Sequence, residues 1–487
     1  MLALEVNSSD WSAWEDELLR EVCRTVKEVW VEAGRPKQVY IAVDGVVPMA
    51  KIRQQRVRRF KSAYLKKNFV SASSSTEKGS SWDSNSITPG TAFMSKLGLS
   101  LMSLMSLKAL GKGLIVSTSD EPGEGEHKIM NWLRTNKKAK ETICIYGLDA
   151  DLILLSMLTG EMIGNTNLWL MREKQEFGTV VVTEKQEYSF MNLEEFKLRI
   201  GVKGVHEVLN YVGLMSLMGN DFLPHSLTHK LNDDGHDLIL DELRAMRKAN
   251  LPSSWLVSQG QGPGDKGPGD QCKLQVDVLK GICSRWAADE DKRILHMVRK
   301  KQEQAKRGVG RGMSESEGLP LQWNVEKVLM DEGGIFLKEN WRSEYWNWIH
   351  PCSEIDQLCS EYIYGLQWIL DYYTGQKEVN TSWLFPSWIP PLWSDLAGIL
   401  DSGLLLETTC GEGVVIRPAE QLAMVLPLES WGLIQDKNLR RLPALAPQMW
   451  PLNYTFFSAG RKWLWECEAR IPILTAERVR EILKEDE

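Results

Sequence analysis

Across the first half of the chain, short apolar runs alternate with longer stretches of helical period, and acidic residues stand where the apolar runs stop. Segments 2–4, 39–43, 114–117 and 142–146 read as strands. Segments 13–31, 48–67, 92–110 and 126–135 lie between them and read as helices. Strands that alternate with helices pair in parallel, because each crossover carries the chain back to the same edge. The pattern predicts an α/β fold: a doubly wound, mainly parallel sheet with helices on both faces. In such sheets, ligands bind beyond the carboxyl ends of the strands.

Those ends are acidic. Glu5 follows Leu-Ala-Leu, and Asp44 follows Tyr-Ile-Ala-Val. Asp149 and Asp151 follow Ile-Cys-Ile-Tyr-Gly-Leu. Glu124 and Glu126 open a helix in Pro-Gly-Glu-Gly-Glu-His-Lys, and Asp221 sits in Gly-Asn-Asp-Phe-Leu-Pro after an apolar helical run. Any one of these acids alone is most simply a helix cap. Together they point to a cation, because clustered carboxylates repel unless something neutralises them. Donors that are all oxygen select Mg²⁺, or Mn²⁺, over zinc. Two such ions ~3.5–4 Å apart activate a water and stabilise the leaving oxygen in phosphodiester cleavage.

The stretch 48–61 follows Asp44 directly and reads PMAKIRQQRVRRFK. Proline suits a first helical turn. Lys51, Gln55, Arg58 and Arg59 recur at helical spacing and share one face. Guanidinium forks bind phosphate in pairs of hydrogen bonds. A basic face beside a metal site suits a terminal 5′-phosphate; a solvated basic surface is the plainer alternative.

Bulk composition bounds the rest. At 487 residues with 43% hydrophobic content, the chain is long enough for a large core and more than one lobe. A net charge of −7 does not exclude nucleic acid, since binding depends on local basic patches. The eight cysteines form no CxxC pair, which argues against a zinc knuckle or a disulfide framework and for a reducing compartment. No apolar run is long enough to span a bilayer. Most of the 20 tryptophans follow residue 320, which marks a second, mostly helical lobe. The expected division is a nuclease lobe over 1–250, a partly disordered linker or insertion over 251–320, and a helical lobe over 321–487. Two stretches, 71–81 and 258–271, read as loops from their Ser and Gly/Pro content. The basic run at 299–311 reads as a solvated helix end.

Several long motifs, in order, resemble the 5′→3′ exoribonucleases of the XRN family. They are DGVVPMAKIRQQRVRRF at 44–60, NSITPGTAFM at 85–94, PGEGEHKIM at 122–130, YGLDADLILL at 146–155 and GNDFLP at 219–224. The match continues in GLQWILDYY at 365–373, SWLFPSWIPP at 382–391 and the tail 457–483. The resemblance implies hydrolysis of single-stranded RNA from a 5′-monophosphate end to mononucleotides, with two Mg²⁺ ions or Mn²⁺ in their place. It places the metal-binding acids on Asp44, Glu124, Glu126, Asp149, Asp151 and Asp221, with Glu5 as a further ligand. It places the terminal-phosphate pocket on Lys51, Gln55, Arg58 and Arg59. Trp383 matches a tryptophan that stacks on the first base, or else is an ordinary core residue.

The chain also departs from the family pattern. Leu4-Glu5-Val6-Asn7-Ser8 looks like the remnant of an Asp-Met-Asn-Gly motif with Glu for Asp, and the loop carrying a base-stacking histidine is absent before Asp44. A true start upstream of Met1 and a divergent enzyme both remain open. An RNA-binding homologue without turnover and a structure-specific 5′ nuclease on DNA are the rival functions. The expected partner is RNA, with no membrane and no second copy. The absence of a zinc-knuckle insertion favours the cytoplasm over the nucleus.

Overall fold

The computed structural model describes residues 11–70, 82–106, 110, 113–136, 140–147, 149–176, 179–180, 186–231, 233–249, 251–259, 272–306, 329–349, 354–403, 409, 411, 413–457, 461 and 466–485. The strand expected at 2–4, residue Glu5 and the loop expected at 71–81 lie outside them.

The alternation expected in the first half is present. Helix α1 spans Ser12–Glu32, strand β1 Gln38–Ala42, α2 Met49–Leu65 and α3 Ala92–Ser106. Strand β2 spans Gly113–Ser117, α4 Gly125–Asn136, β3 Ile143–Tyr146 and α5 Asp151–Ile163. β1 and β2 pair in parallel, from Gln38 against Gly113 to Ala42 against Ser117. Helices cover both faces of this pair, as period 2 requires. Val39, Ile41 and Val43 pack toward Val22, Val26 and Trp30 of α1 and Leu97, Leu101 and Leu104 of α3. On the other face, Tyr40 stacks on Trp132 of α4 at 5.3 Å.

The parallel sheet is divided among the described residues. β3 pairs in parallel with β4, Leu168–Glu173, and β4 pairs antiparallel with β5, Tyr188–Asn192. Within β3, Ile145 is buried while Cys144 and Tyr146 are exposed. The fold is therefore α/β with small sheets, and helices dominate.

The main core runs across both lobes. Helix α6, Gly204–Ser216, contacts α5 and the long helix α9, Ile355–Thr374. Met130, Leu155, Val212, Trp368 and Ile369 belong to one buried cluster. Within 251–320, expected as a partly disordered linker or insertion, two helices contribute to it as well. Helix α7, Val276–Ala288, and helix α8, Glu290–Lys306, bury Leu279, Ile282, Cys283, Trp286, Ile294 and Val298. The i, i+3, i+4, i+7 spacing of the first four marks an apolar face. Of the stretch expected as a loop at 258–271, Ser258 and Gln259 close a short strand, Val257–Gln259; residues 260–271 and 307–328 lie outside the described residues. Helix α10 spans Trp393–Asp401. A second core holds the back of α2. Val47, Met49, Ile52, Val57 and Phe60 pack with helix α11, Pro418–Val425, and helix α12, Ala476–Lys484. Each fully buried aliphatic contributes roughly 1.5–3 kcal/mol, so α2 is firmly seated. No helix among the described residues is long and apolar enough to cross a membrane.

Candidate active site

The loops after β1 and β2 lock together at the carboxyl end of the sheet. Gly45 N–H donates to Gly123 O at 2.9 Å, and Gly123 N–H donates to Val46 O at 2.6 Å. A Cβ on Gly45 would lie 1.8 Å from Glu121 O, so only glycine fits there. Asp44 Oδ1 accepts the N–H of Gly125 at 2.7 Å, which makes Asp44 a cap for α4 from another segment. Lys128 donates to Val43 O at 2.8 Å and Thr118 O at 2.9 Å, tying α4 to both strand ends.

This geometry puts Glu124 in a buried position, 2% exposed, facing α2. Lys51 Nζ lies 2.6 Å from Glu124 Oε2 and 2.6 Å from Asp221 Oδ2. Gln54 donates to Asp221 Oδ1 at 3.2 Å. The loop carrying Asp221 is held by Asn220 Oδ1, which accepts from Phe222 N–H at 2.9 Å and Leu223 N–H at 3.0 Å. Gly219 supplies the positive φ of 91° that the turn needs. Asp151 opens α5, and Asp149 lies two positions before it.

The remaining acids are drawn in electrostatically. Burial pushes the Glu126 carboxyl up to about 8, Glu124 adds to the rise, and Asp151 and Asp149 contribute. Burial and then Asp221 push Asp151 up to about 6. Burial also raises Glu124, against the pull of Lys51 and with a contribution from Asp44. The charges of Asp44, Asp149 and Asp221 thus act on the buried Glu124, Glu126 and Asp151, which ties the six acids into one acidic group. Burial works against the charge of Lys51 too, but Glu124 and Asp221 outweigh it and hold the ammonium well above its ordinary range.

The residues present fit divalent cations. Two like charges about 4 Å apart cost roughly 4 kcal/mol at an effective dielectric of about 20, so a single lysine leaves most of the repulsion unanswered. Ligand atoms of Glu124, Glu126 and His127 all lie within 4.8 Å of one another. His127 stacks on Tyr372 at 3.9 Å, and burial, then Arg134 and Lys51, hold its imidazole down at about 3, so the ring is neutral. Carboxylate oxygens make up almost the whole donor set, which favours a hard cation.

The basic face of α2 divides more finely than its spacing suggested. Lys51 is engaged by the acids, and Gln55 is buried at 6% exposure. Arg58 is exposed. Arg59 donates to Thr88 Oγ1 at 2.5 Å, and burial followed by Arg58 lowers it to about 10. Trp383 is 8% exposed, donates to Glu361 at 3.0 Å and packs on Trp368 at 5.1 Å. Of its two readings, this geometry is that of a core residue. Glu5 lies outside the described residues.

Three contacts in the site escaped sequence reasoning: Gln54, His127 and Tyr372. Tyr372 donates its hydroxyl to Glu124 Oε1 at 2.9 Å. It stands 248 positions away in sequence, beyond any local pattern.

Comparison with known proteins gives matches at both ends. The family description "XRN 5′-3′ exonuclease N-terminus" matches residues 5–174, and "Xrn1 helical domain" matches residues 327–485. The chain is 24% identical to 5′-3′ exoribonuclease 1 of Saccharomyces cerevisiae, over 96% of this chain and 39% of that protein. It is 29% identical to 5′-3′ exoribonuclease 1 of Homo sapiens, over 94% of this chain and 30% of that one. It is 26% identical to 5′-3′ exoribonuclease 2 of Yarrowia lipolytica, over 96% of this chain and 61% of that one. It spans less than half the length of the baker's yeast and human relatives.

Proposed function

This chain belongs to the XRN family of 5′-3′ exonucleases, and from that premise we propose that it is a 5′→3′ exoribonuclease. Its substrate is single-stranded RNA with a 5′-monophosphate, which it hydrolyses to mononucleotides in RNA decay. The observation that carries this reading is the convergence of acids from several separate segments beside the basic face of α2. Asp44, Glu124, Glu126, Asp149, Asp151 and Asp221 would hold two Mg²⁺, with Mn²⁺ as a substitute. When bound, the ions supply activation of water and charge neutralisation at the scissile phosphate.

The protein's own residues do the rest. Lys51 bridges Glu124 and Asp221 and keeps those acids at a fixed separation. Gln55, Arg58 and Arg59 supply donors along α2 for the terminal phosphate, and Arg59 is braced by Thr88. A compact phosphate pocket on one helix favours a monophosphate over a capped or triphosphate end. We place the activity in the cytoplasm, in a monomer.

The test is degradation of 5′-phosphorylated single-stranded RNA with Mg²⁺, beside an Asp149→Ala, Asp151→Ala double variant. Mononucleotide release that disappears in the variant is expected. Equal release from both proteins would sink the enzyme reading, and RNA binding without release would leave the non-catalytic homologue. Faster cleavage of flap DNA than of RNA would favour the DNA nuclease.

A further inference from the structure

Tyr372 sits in the last turn of α9, in the helical lobe, yet its hydroxyl reaches the acidic cluster of the other lobe. Glu124 has two carboxylate oxygens, and each has a different partner. Oε2 faces Lys51 at 2.6 Å, and Oε1 accepts from Tyr372 at 2.9 Å. A buried carboxylate with both oxygens engaged cannot rotate without giving up a hydrogen bond.

The tyrosine is itself held on every side. Its ring stacks on His127 at 3.9 Å and on Trp368 at 4.9 Å, and meets Phe222 edge-on at 5.6 Å. His127 lies one residue after Glu126, and Phe222 lies one residue after Asp221. One ring therefore braces residues adjoining two of the acids while its hydroxyl fixes a third. Arg134 of α4 secures the same turn of α9 by donating to Tyr373 O at 3.2 Å, and it also donates to Thr159 Oγ1 of α5 at 3.3 Å. A Cβ on Gly375, which caps α9, would lie 2.5 Å from Arg134 Nη2, so the two helices meet closely there.

We propose that Tyr372 is a positioning residue for the metal site, aiming Glu124 at the cation, and that the helical lobe is needed for metal binding through this contact. The inference rests on the metal-site reading under the proposed function. Partners that orient metal ligands commonly matter about 10–100-fold in affinity.

The test compares Mn²⁺ binding to the whole chain by calorimetry in wild type, Tyr372→Phe, Trp368→Phe and the Asp149→Ala, Asp151→Ala double variant. Tyr372→Phe keeps the ring and loses only the hydroxyl. It is expected to bind Mn²⁺ about 10–100-fold more weakly, and to lower kcat on RNA with KM unchanged. Trp368→Phe disturbs the packing behind Tyr372 without touching Glu124; it is expected to lower Tm while binding Mn²⁺ close to wild type. Wild-type affinity in Tyr372→Phe would overturn the proposal, and so would equal weakening in both aromatic variants. If wild type binds Mn²⁺ no better than the double aspartate variant, the metal-site reading itself fails and takes this inference with it.

Discussion

At the scale of single residues, Lys51 offsets part of the charge of the acidic cluster. Its side chain is 11% exposed and lies between two carboxylates, one of them on a side chain only 3% exposed. Breaking a buried pair by removing one partner typically costs ~3–5 kcal/mol, because the other charge stays buried alone. Lys51→Met is therefore expected to lose stability of about that size in urea unfolding without divalent cations. Added Mn²⁺ should recover part of the loss, since a cation replaces the missing charge. An unchanged unfolding midpoint would mean that Lys51 does not balance the cluster.

At the scale of elements, α2 is the hinge of the design. One side of it meets the acids and the other is packed by α11 and α12. Arg56, 2% exposed, reaches back to donate to Met424 O at 2.6 Å, and its guanidinium also meets the carbonyl of Met449. The packing elements are joined by Glu420, which is fully buried at the start of α11. Arg480 of α12 donates to Glu420 at 2.8 and 2.9 Å, and Arg417 N–H donates at 2.8 Å. Burial by itself would raise this carboxyl, but the hydrogen bonds from Arg480 and Arg417 prevail and hold it at about 2. A carboxylate depressed on folding stabilises the fold above its unfolded value of 4.5, and that contribution is lost as pH falls toward about 2. Glu420→Gln should cost about 1.5–3 kcal/mol at neutral pH, the range for hydrogen bonds to a charged group. The gap to wild type should close between about pH 4.5 and pH 2 in thermal melts. A gap that stays constant over that window would refute the assignment.

At the scale of the whole molecule, one core joins the lobes, and this sets two expectations. Trp368 and Ile369 of α9 are fully buried against elements of the first half. A fragment of residues 1–250 should therefore lack a cooperative melt, while the whole chain melts in one main transition. A sharp transition from the fragment, followed by circular dichroism, would contradict a shared core. Divalent cations should also stabilise the whole chain. At a concentration one hundred times Kd the gain is about 2.7 kcal/mol, visible as a raised Tm. The Asp149→Ala, Asp151→Ala variant should lose that response.

The sequence by itself determined the strand–helix alternation, the acids at the strand ends and the basic helix that follows Asp44. Each is local, written in apolar period, glycine and charge within about twenty residues. Asp44 is an example, since it follows the apolar run Tyr-Ile-Ala-Val directly. The tertiary structure decided what no local pattern encodes. It engaged Lys51 of α2 with Glu124 and Asp221 from two other segments. It drew α7 and α8 into the core from a stretch that composition made look like a linker. It also brought Tyr372 to Glu124 across 248 positions. Such contacts depend on how whole helices pack against one another, and that is settled by the shape of the complete core.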